Sequence, residues 1–390
     1  MHYFLWWCIC FFIIFVAMKH IDNIVLAFDS FKGSASSAEI AEAAREAIAV
    51  LLPHCKVSTF VVADGGEGTT EAIARQLSAH PVSCRVHDPL MRAIDATYSI
   101  ADDGLAIMEM AAAAGLTLIA ANERNPLVAS TFGVGEMITD ALNHGCRRFI
   151  LGIGGSATND AGVGMLSALG FSFRDINGHP TFRLADVVDV VTDDVDSRLA
   201  QSDFVVACDV LNPFYGSDGA ACVYAPQKGA SPADVVKLDA ALRRFAGMVS
   251  RRCGIDLQNL PGSGAAGGLG GALAAFLGAE LKRGINVVLD IAGFDDALAS
   301  AQLLITGEGR IDDQTAMGKA LGGIVARAHK VGVPVVAIAG SVDHSVSALF
   351  DAALSIQNHP MALSDAINKT VTLQNVRTTV SQIIRLLSIP

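Results

Sequence analysis

LLITGEGRIDDQTAMGKA, residues Leu303 to Ala320, opens on a short apolar run, Leu303, Leu304 and Ile305, that breaks at Thr306. Gly307 and Gly309 then bracket Glu308. Arg310, Asp312 and Asp313 follow, and Gly318-Lys319 closes the stretch. The apolar run predicts a buried strand. The change of composition at Thr306 predicts that this strand ends there, in a loop with little side-chain bulk and dense opposite charge. In open α/β sheets, ligands bind at that carboxyl edge. Glycines let backbone N–H groups approach a phosphate, Arg and Lys neutralise it, and carboxylates hold a divalent cation. One such stretch alone would be no more than a solvated, charged turn.

The pattern recurs. IVLAFDSFKGS (Ile24 to Ser34) runs from apolar residues into Asp29, Ser30, Lys32 and Gly33. FVVADGGEGTTEA (Phe60 to Ala72) ends in Asp64, Gly65, Gly66 and Glu67. FILGIGGSATNDAG (Phe149 to Gly162) ends in Gly154, Gly155, Ser156, Asn159 and Asp160, and FVVACDVLNPFYG (Phe204 to Gly216) carries Asp209 and Asn212. Several buried strands that end in small, acidic or hydroxyl residues point to one active site for an anionic substrate handled with a metal.

DSFKGS, ADGGEGTTEA, GIGGSATNDAGVGML, PGSGAAGGLGGAL and TGEGRIDDQT, in that order, resemble the bacterial-type glycerate kinases (type 1) from about Met18 nearly to the C-terminus. The resemblance implies ATP and Mg²⁺ as cofactors and D-glycerate as the small-molecule partner, with the 2-hydroxyl favoured over the 3-hydroxyl. A homodimer is one option that it leaves open. Phosphoryl transfer needs positioning, charge neutralisation and a proton acceptor. Asp29, Asp64, Asp209 and Asp312 are candidate acceptors. Asp209 comes first because it stands at a strand end with no cationic residue beside it in sequence. Glu308 and Asp312 suit the metal. Lys32, Arg310 and Lys319 suit the phosphates and the glycerate carboxylate. Gly65, Gly66, Ser156, Asn159, Gly264 and Gly267 are candidate nucleotide donors, while Asp29, Ser30 and Asp160 are candidate substrate ligands.

Composition excludes several classes. At 390 residues the chain favours two domains, and 52% apolar residues fill sizeable cores. A net charge of −11 argues against nucleic acid and anionic membrane surfaces. The eight cysteines are scattered, apart from Cys8 and Cys10, without a C-x-x-C metal or redox pair. Such thiols fit the cytoplasm. Tyr3 to Met18 is an unbroken apolar run that as a helix would reach about 24 Å, against about 30 Å of bilayer core. An over-extended start, with Met18 as initiator, is the preferred explanation for residues 1–17, and a signal anchor the other.

Other motifs are weaker. Ser156 is not a nucleophile elbow, since Thr158 stands where G-x-S-x-G needs glycine. No Walker A motif exists, because Ala320 follows Lys319. Gly262-x-Gly264-x-x-Gly267 with Asp290 matches a dinucleotide fingerprint, the basis for an NAD(P)-dependent oxidoreductase. However, Pro261 and the polar LQNL precede it instead of a strand. A non-catalytic acid-binding protein is the other rival. Two strand-loop-helix units at the start, the second ending near Leu77, predict a doubly wound parallel (Rossmann- or flavodoxin-like) α/β sheet. Its first helix opens with a capping box, Ser36 to Glu39. Alternating strands from Pro81 to Met110 predict antiparallel character. The expected organisation is residues 18–80 with 285–390 as one domain and 81–284 as a mixed α/β insertion.

Overall fold

The computed structural model describes residues 21–62, 69–316 and 320–388. In chain order the strands are β1 (Asn23–Phe28), β2 (Lys56–Val61), β3 (His80–His87), β4 (Ala93–Ile100), β5 (Leu105–Glu109) and β6 (Arg148–Gly152). They continue with β7 (Ser172–Arg174), β8 (Asp189–Val191), β9 (Asp203–Ala207), β10 (Glu280–Lys282), β11 (Leu303–Ile311), β12 (Val335–Val342) and β13 (Ala352–Ser355). Contacts along the chain divide it after residue 64 and again after residue 288, giving a unit made from both chain ends and a second, continuous unit.

The two-ended unit holds an all-parallel sheet in the order β2-β1-β11-β12-β13. Counted within the unit this is 2-1-3-4-5, the flavodoxin-like order, whose topological switch point lies between the first and third strands. Its central strands β1, β11 and β12 are buried on both faces along their apolar runs, as crossover helices require. Ile24, Leu26 and Phe28 share a face with Leu303, Ile305, Val336 and Ile338. That face packs on Ile40, Ala44 and Ile48 of the Ser37–Leu51 helix, and on Val376, Val380 and Ile383 of the Lys369–Leu387 helix. The alternate residues Val25, Leu304 and Val335 are buried too, on the side where the Ala320–Lys330 helix packs against β11 and β12. The predicted Ser36–Glu39 capping box is present.

One boundary differs from expectation. β11 does not stop at Thr306 but runs to Ile311, with Glu308 opposite Ala339 and Arg310 opposite Ser341. Gly307, which read as part of a loop, serves a close sheet contact instead. A Cβ on Gly307 would lie 2.0 Å from the Ile338 carbonyl oxygen, so this position accepts only glycine. Thr306 is buried and its hydroxyl donates to the Ala27 carbonyl at 2.6 Å, which satisfies the one polar side chain in the run.

The continuous unit is built on a mixed sheet, β10-β9-β6-β5-β4-β3, with β7 and β8 as a separate antiparallel pair. β3, β4 and β5 are antiparallel neighbours, while β5, β6, β9 and β10 run parallel. Its core stacks Phe149 on Phe204 and gathers Phe173, Phe214, Phe245 and Phe276. The Thr69–Gln76 helix, grouped with the first domain by sequence pattern, falls in this unit; the Thr70 hydroxyl donates to the Glu109 carboxylate at the end of β5. Arg243, Arg244, Arg251 and Arg252 lie on the exposed face of the Pro232–Cys253 helix, as expected of a solvated face. Among the described residues no helix is long and apolar enough to cross a membrane.

The Gly307 contact is testable. Gly307→Ala should cost about 2–4 kcal/mol and lower the thermal midpoint. Gly247→Ala, mid-helix with its nearest atom 3.6 Å away, should raise stability by about 0.5–1 kcal/mol. A Gly307→Ala protein as stable as wild type would refute the close packing of β11 on β12.

Candidate functional site

In the two-ended unit, the chain leaves β1 toward β2 on one side and returns as β11 on the other. The crevice this opens is walled by the exit of β1, Asp29 to Lys32, and by Gly309 and Arg310 of β11. A cavity of about 500 Å³ lies there, and its lining includes Phe31, Lys32, Gly309, Arg310 and Gly340. Lys32 is exposed, and Arg310, 71% exposed in its side chain, pairs with Asp312 at 3.4 Å. Two cations therefore reach one crevice in a chain of net charge −11. Asp29, expected as a substrate ligand, stands at the exit of β1. Its carboxylate accepts the Ser30 N–H at 2.5 Å and its own N–H donates to the Gly307 carbonyl at 2.9 Å, so it shapes the turn that presents Lys32.

Glu308 and Asp312 are joined through buried Thr315. The Thr315 hydroxyl donates to Glu308 Oε1 at 2.5 Å and accepts the Asp312 N–H at 3.2 Å. Among the described residues no cluster of three or more His, Cys, Asp or Glu side chains could hold a metal. Two carboxylates are nevertheless the usual protein share for Mg²⁺ that travels on phosphates and keeps its waters. Asp64, Gly65, Gly66 and Lys319 lie outside the described residues.

In the continuous unit, the GGSATND loop leaves the carboxyl end of β6. Sequence reading missed the residue that organises it, Lys228, which is 2% exposed. Its ammonium donates to Ser156 Oγ and to the Thr158 carbonyl, each at 2.7 Å. Burial pulls its pKa down to about 7, with nearby Asp160 opposing that shift. The only hint in the sequence was a lone lysine among small residues, APQKGA (Ala225 to Ala230). Asn159 is fully buried, and neither its Nδ2 nor its Oδ1 has a hydrogen-bond partner; the Thr158 hydroxyl is likewise unpartnered. Desolvating such groups without partners costs about 1–3 kcal/mol each.

Asp160, expected as a substrate ligand, is engaged by internal donors. Its carboxylate accepts from Thr131 N and Oγ1 at 2.9 Å each, Gly162 N at 3.1 Å and Gly164 N at 3.2 Å. Burial pushes its pKa up against those bonds. Gly264 and Gly267, expected as nucleotide donors, are buried by backbone packing. A Cβ on Gly264 would meet the Pro213 carbonyl at 2.1 Å, and one on Gly267, at φ +68°, the Thr158 carbonyl at 2.2 Å. The Gly264 N–H is already donated to the Asn212 carbonyl. No strand precedes this glycine run, only a 3₁₀ turn, Leu257–Asn259. Asp290 sits in the Gly284–Ile291 helix and pairs with Arg327 at 2.7 Å. The strand-turn-helix context of a dinucleotide fingerprint is absent here. Asp209 follows β9, is exposed, and accepts the Gly284 N–H at 3.0 Å.

The depressed Lys228 pKa fixes a sign. Unfolded, this lysine holds its proton to about pH 10.4; folded, only to about 7. Between those values the unfolded state binds more protons, so this group makes stability rise with pH. Wild type measured against Lys228→Met should gain up to about 1.4 kcal/mol per pH unit from pH 7 to 9. A flat difference in denaturation midpoints over that range would show that the amine is not buried.

Comparison with known proteins adds an independent line. The model for the family described as "Glycerate kinase family" matches residues 24–388. A glycerate kinase of Halalkalibacterium halodurans is 41% identical over 357 residues, covering 89% of this chain and 94% of that protein. The glycerate 2-kinase of Escherichia coli is 42% identical, over 86% of this chain and 91% of its own. A crystal structure from Salmonella typhimurium LT2, provisionally described as glycerate kinase 2, superposes with a TM-score of 0.75 at 40% identity. It covers 94% of this chain and 98% of its own.

Proposed function

Since the chain belongs to the glycerate kinase family, we propose that it transfers the γ-phosphoryl group of ATP to D-glycerate, at the 2-hydroxyl ahead of the 3-hydroxyl. The observation that carries this is the pair of cations, Lys32 and Arg310, at one cavity on the switch point of a parallel sheet. A loose phosphoryl transition state spreads charge over its oxygens, and fixed cations stabilise it without reorganisation. The name of the Escherichia coli relative supports the 2-position, and scattered free thiols support a cytoplasmic setting.

Lys32 and Arg310 meet the phosphates. Glu308 and Asp312 would hold Mg²⁺, which would supply charge neutralisation to the phosphates. Asp209, at the carboxyl edge of its own sheet, takes the proton from the attacking hydroxyl. The Asn159 amide and Ser156 hydroxyl, set by Lys228, orient the small acid; an amide without an internal partner is open to one supplied by a ligand. Burial of Asn159 suits a group that must discriminate rather than merely attract.

Purified protein given D-glycerate, ATP and Mg²⁺ should release ADP only when glycerate is present. The product's ³¹P signal should split into a doublet, from the single proton on C2, whereas phosphorylation at C3 gives a triplet. Asp209→Asn should lower kcat by about 10²–10⁴, and Arg310→Ala should lower kcat/KM by about 10–10³. Full turnover by either variant removes that residue from its role, and no glycerate-dependent ADP release removes the proposed activity.

A further inference from the structure

The cavity beside β1 and β11 is unlike a glycerate site. Glycerate has three carbons, each bearing oxygen, and offers no apolar face to bury. The cavity measures about 500 Å³, within the roughly 300–1,000 Å³ range of sites for drug-sized ligands. Away from the cations its walls carry apolar side chains, Phe31 from the exit of β1, Ile356 just after β13, Met361 from the loop beyond and Leu363 at the start of the Leu363–Ala366 helix, with the polar Gln357 and His359 among them. Lys32 and Arg310 line the same cavity. One side is tied down, since the Ser34 and Thr372 hydroxyls, which both line it, lie 2.5 Å apart. A ligand matching this lining has a flat apolar end and a polyanionic end, which describes a purine nucleotide and not a hydroxy acid.

We infer that this cavity, within the two-ended unit, receives the purine and ribose of the nucleotide, its phosphates meeting Lys32 and Arg310. The inference rests on the kinase activity proposed above and divides its two substrates: the nucleotide takes the flavodoxin-like sheet edge, and no part of its base relies on the Gly262–Gly267 run. Phe31 and Met361 supply the dispersion contacts for the ring. Such recognition is driven by burial of the ring face, so an apolar-to-bulky change at the cavity wall acts on the nucleotide and leaves the acid alone.

Two measurements test it. Wild-type protein photolabelled with 8-azido-ATP, then digested and analysed by mass spectrometry, should carry the label on peptides spanning residues 356–372 or 31–34, and excess ADP should protect them. Ile367→Trp, at the cavity lining, should raise the KM for ATP at least about tenfold while the KM for D-glycerate stays within about twofold. ADP release with D-glycerate is measured on the same preparations. ADP-protected label confined to other peptides, or no protected label, in a protein that turns over glycerate overturns the nucleotide cavity and leaves the kinase activity standing. If Ile367→Trp does not fold, the wild-type label decides alone. Protected label at the cavity without glycerate turnover sustains the cavity and moves the search to another acceptor. Neither turnover nor protected label removes both.

Discussion

The two-ended unit depends on one pairing, β1 with β11, in which Phe28 lies opposite Gly307 across 278 intervening residues. Everything at the crevice follows from it. The pairing brings the Asp29–Lys32 turn beside Arg310, and on the other side of β11 the β12 backbone requires glycine at 307. It also places the switch point, since β1 has β2 on its other side. A parallel sheet buried on both faces leaves only its carboxyl edge for chemistry. The charged and glycine-rich residues collect at that edge because the apolar strand bodies exclude them.

Some of this was legible in the sequence and some was not. Buried strands announced themselves as short apolar runs, and Ser36 with Glu39 announced the first helix. The α/β class followed from their alternation. Strand ends were less legible. Composition changes at Thr306, but the backbone goes on pairing to Ile311, because strand length is set by the neighbouring β12 and not by local apolarity. Glycines were the most ambiguous residues. Those at 264 and 267 resembled a nucleotide cradle, yet carbonyls of distant chain segments occupy the space where their side chains would be. Only tertiary packing tells a glycine that admits a ligand from one that admits a neighbouring backbone.

Charged residues divided along the same line. Asp160 sits in a motif rich in donors, and four of those donors are internal; proximity in sequence could not show which groups were already engaged. Lys228 was invisible for the opposite reason. It lies 72 residues from Ser156 in a segment with no local pattern, and its importance comes from full burial, a property of the fold. A buried ammonium with two good acceptors organises its loop more firmly than an exposed one, because in low dielectric each bond is stronger and each alternative costs more.

The route by which the two-ended unit is assembled has a consequence for synthesis. β1 and β2 emerge from the ribosome early, while their partner β11 lies beyond a whole unit that forms its own core. At about 5–20 residues per second, β1 waits roughly tens of seconds with an apolar edge unpaired. The continuous unit has its complete sheet in hand by β10 and is free to fold during that wait. The early strands are therefore the segment whose apolar edge stays open longest during synthesis.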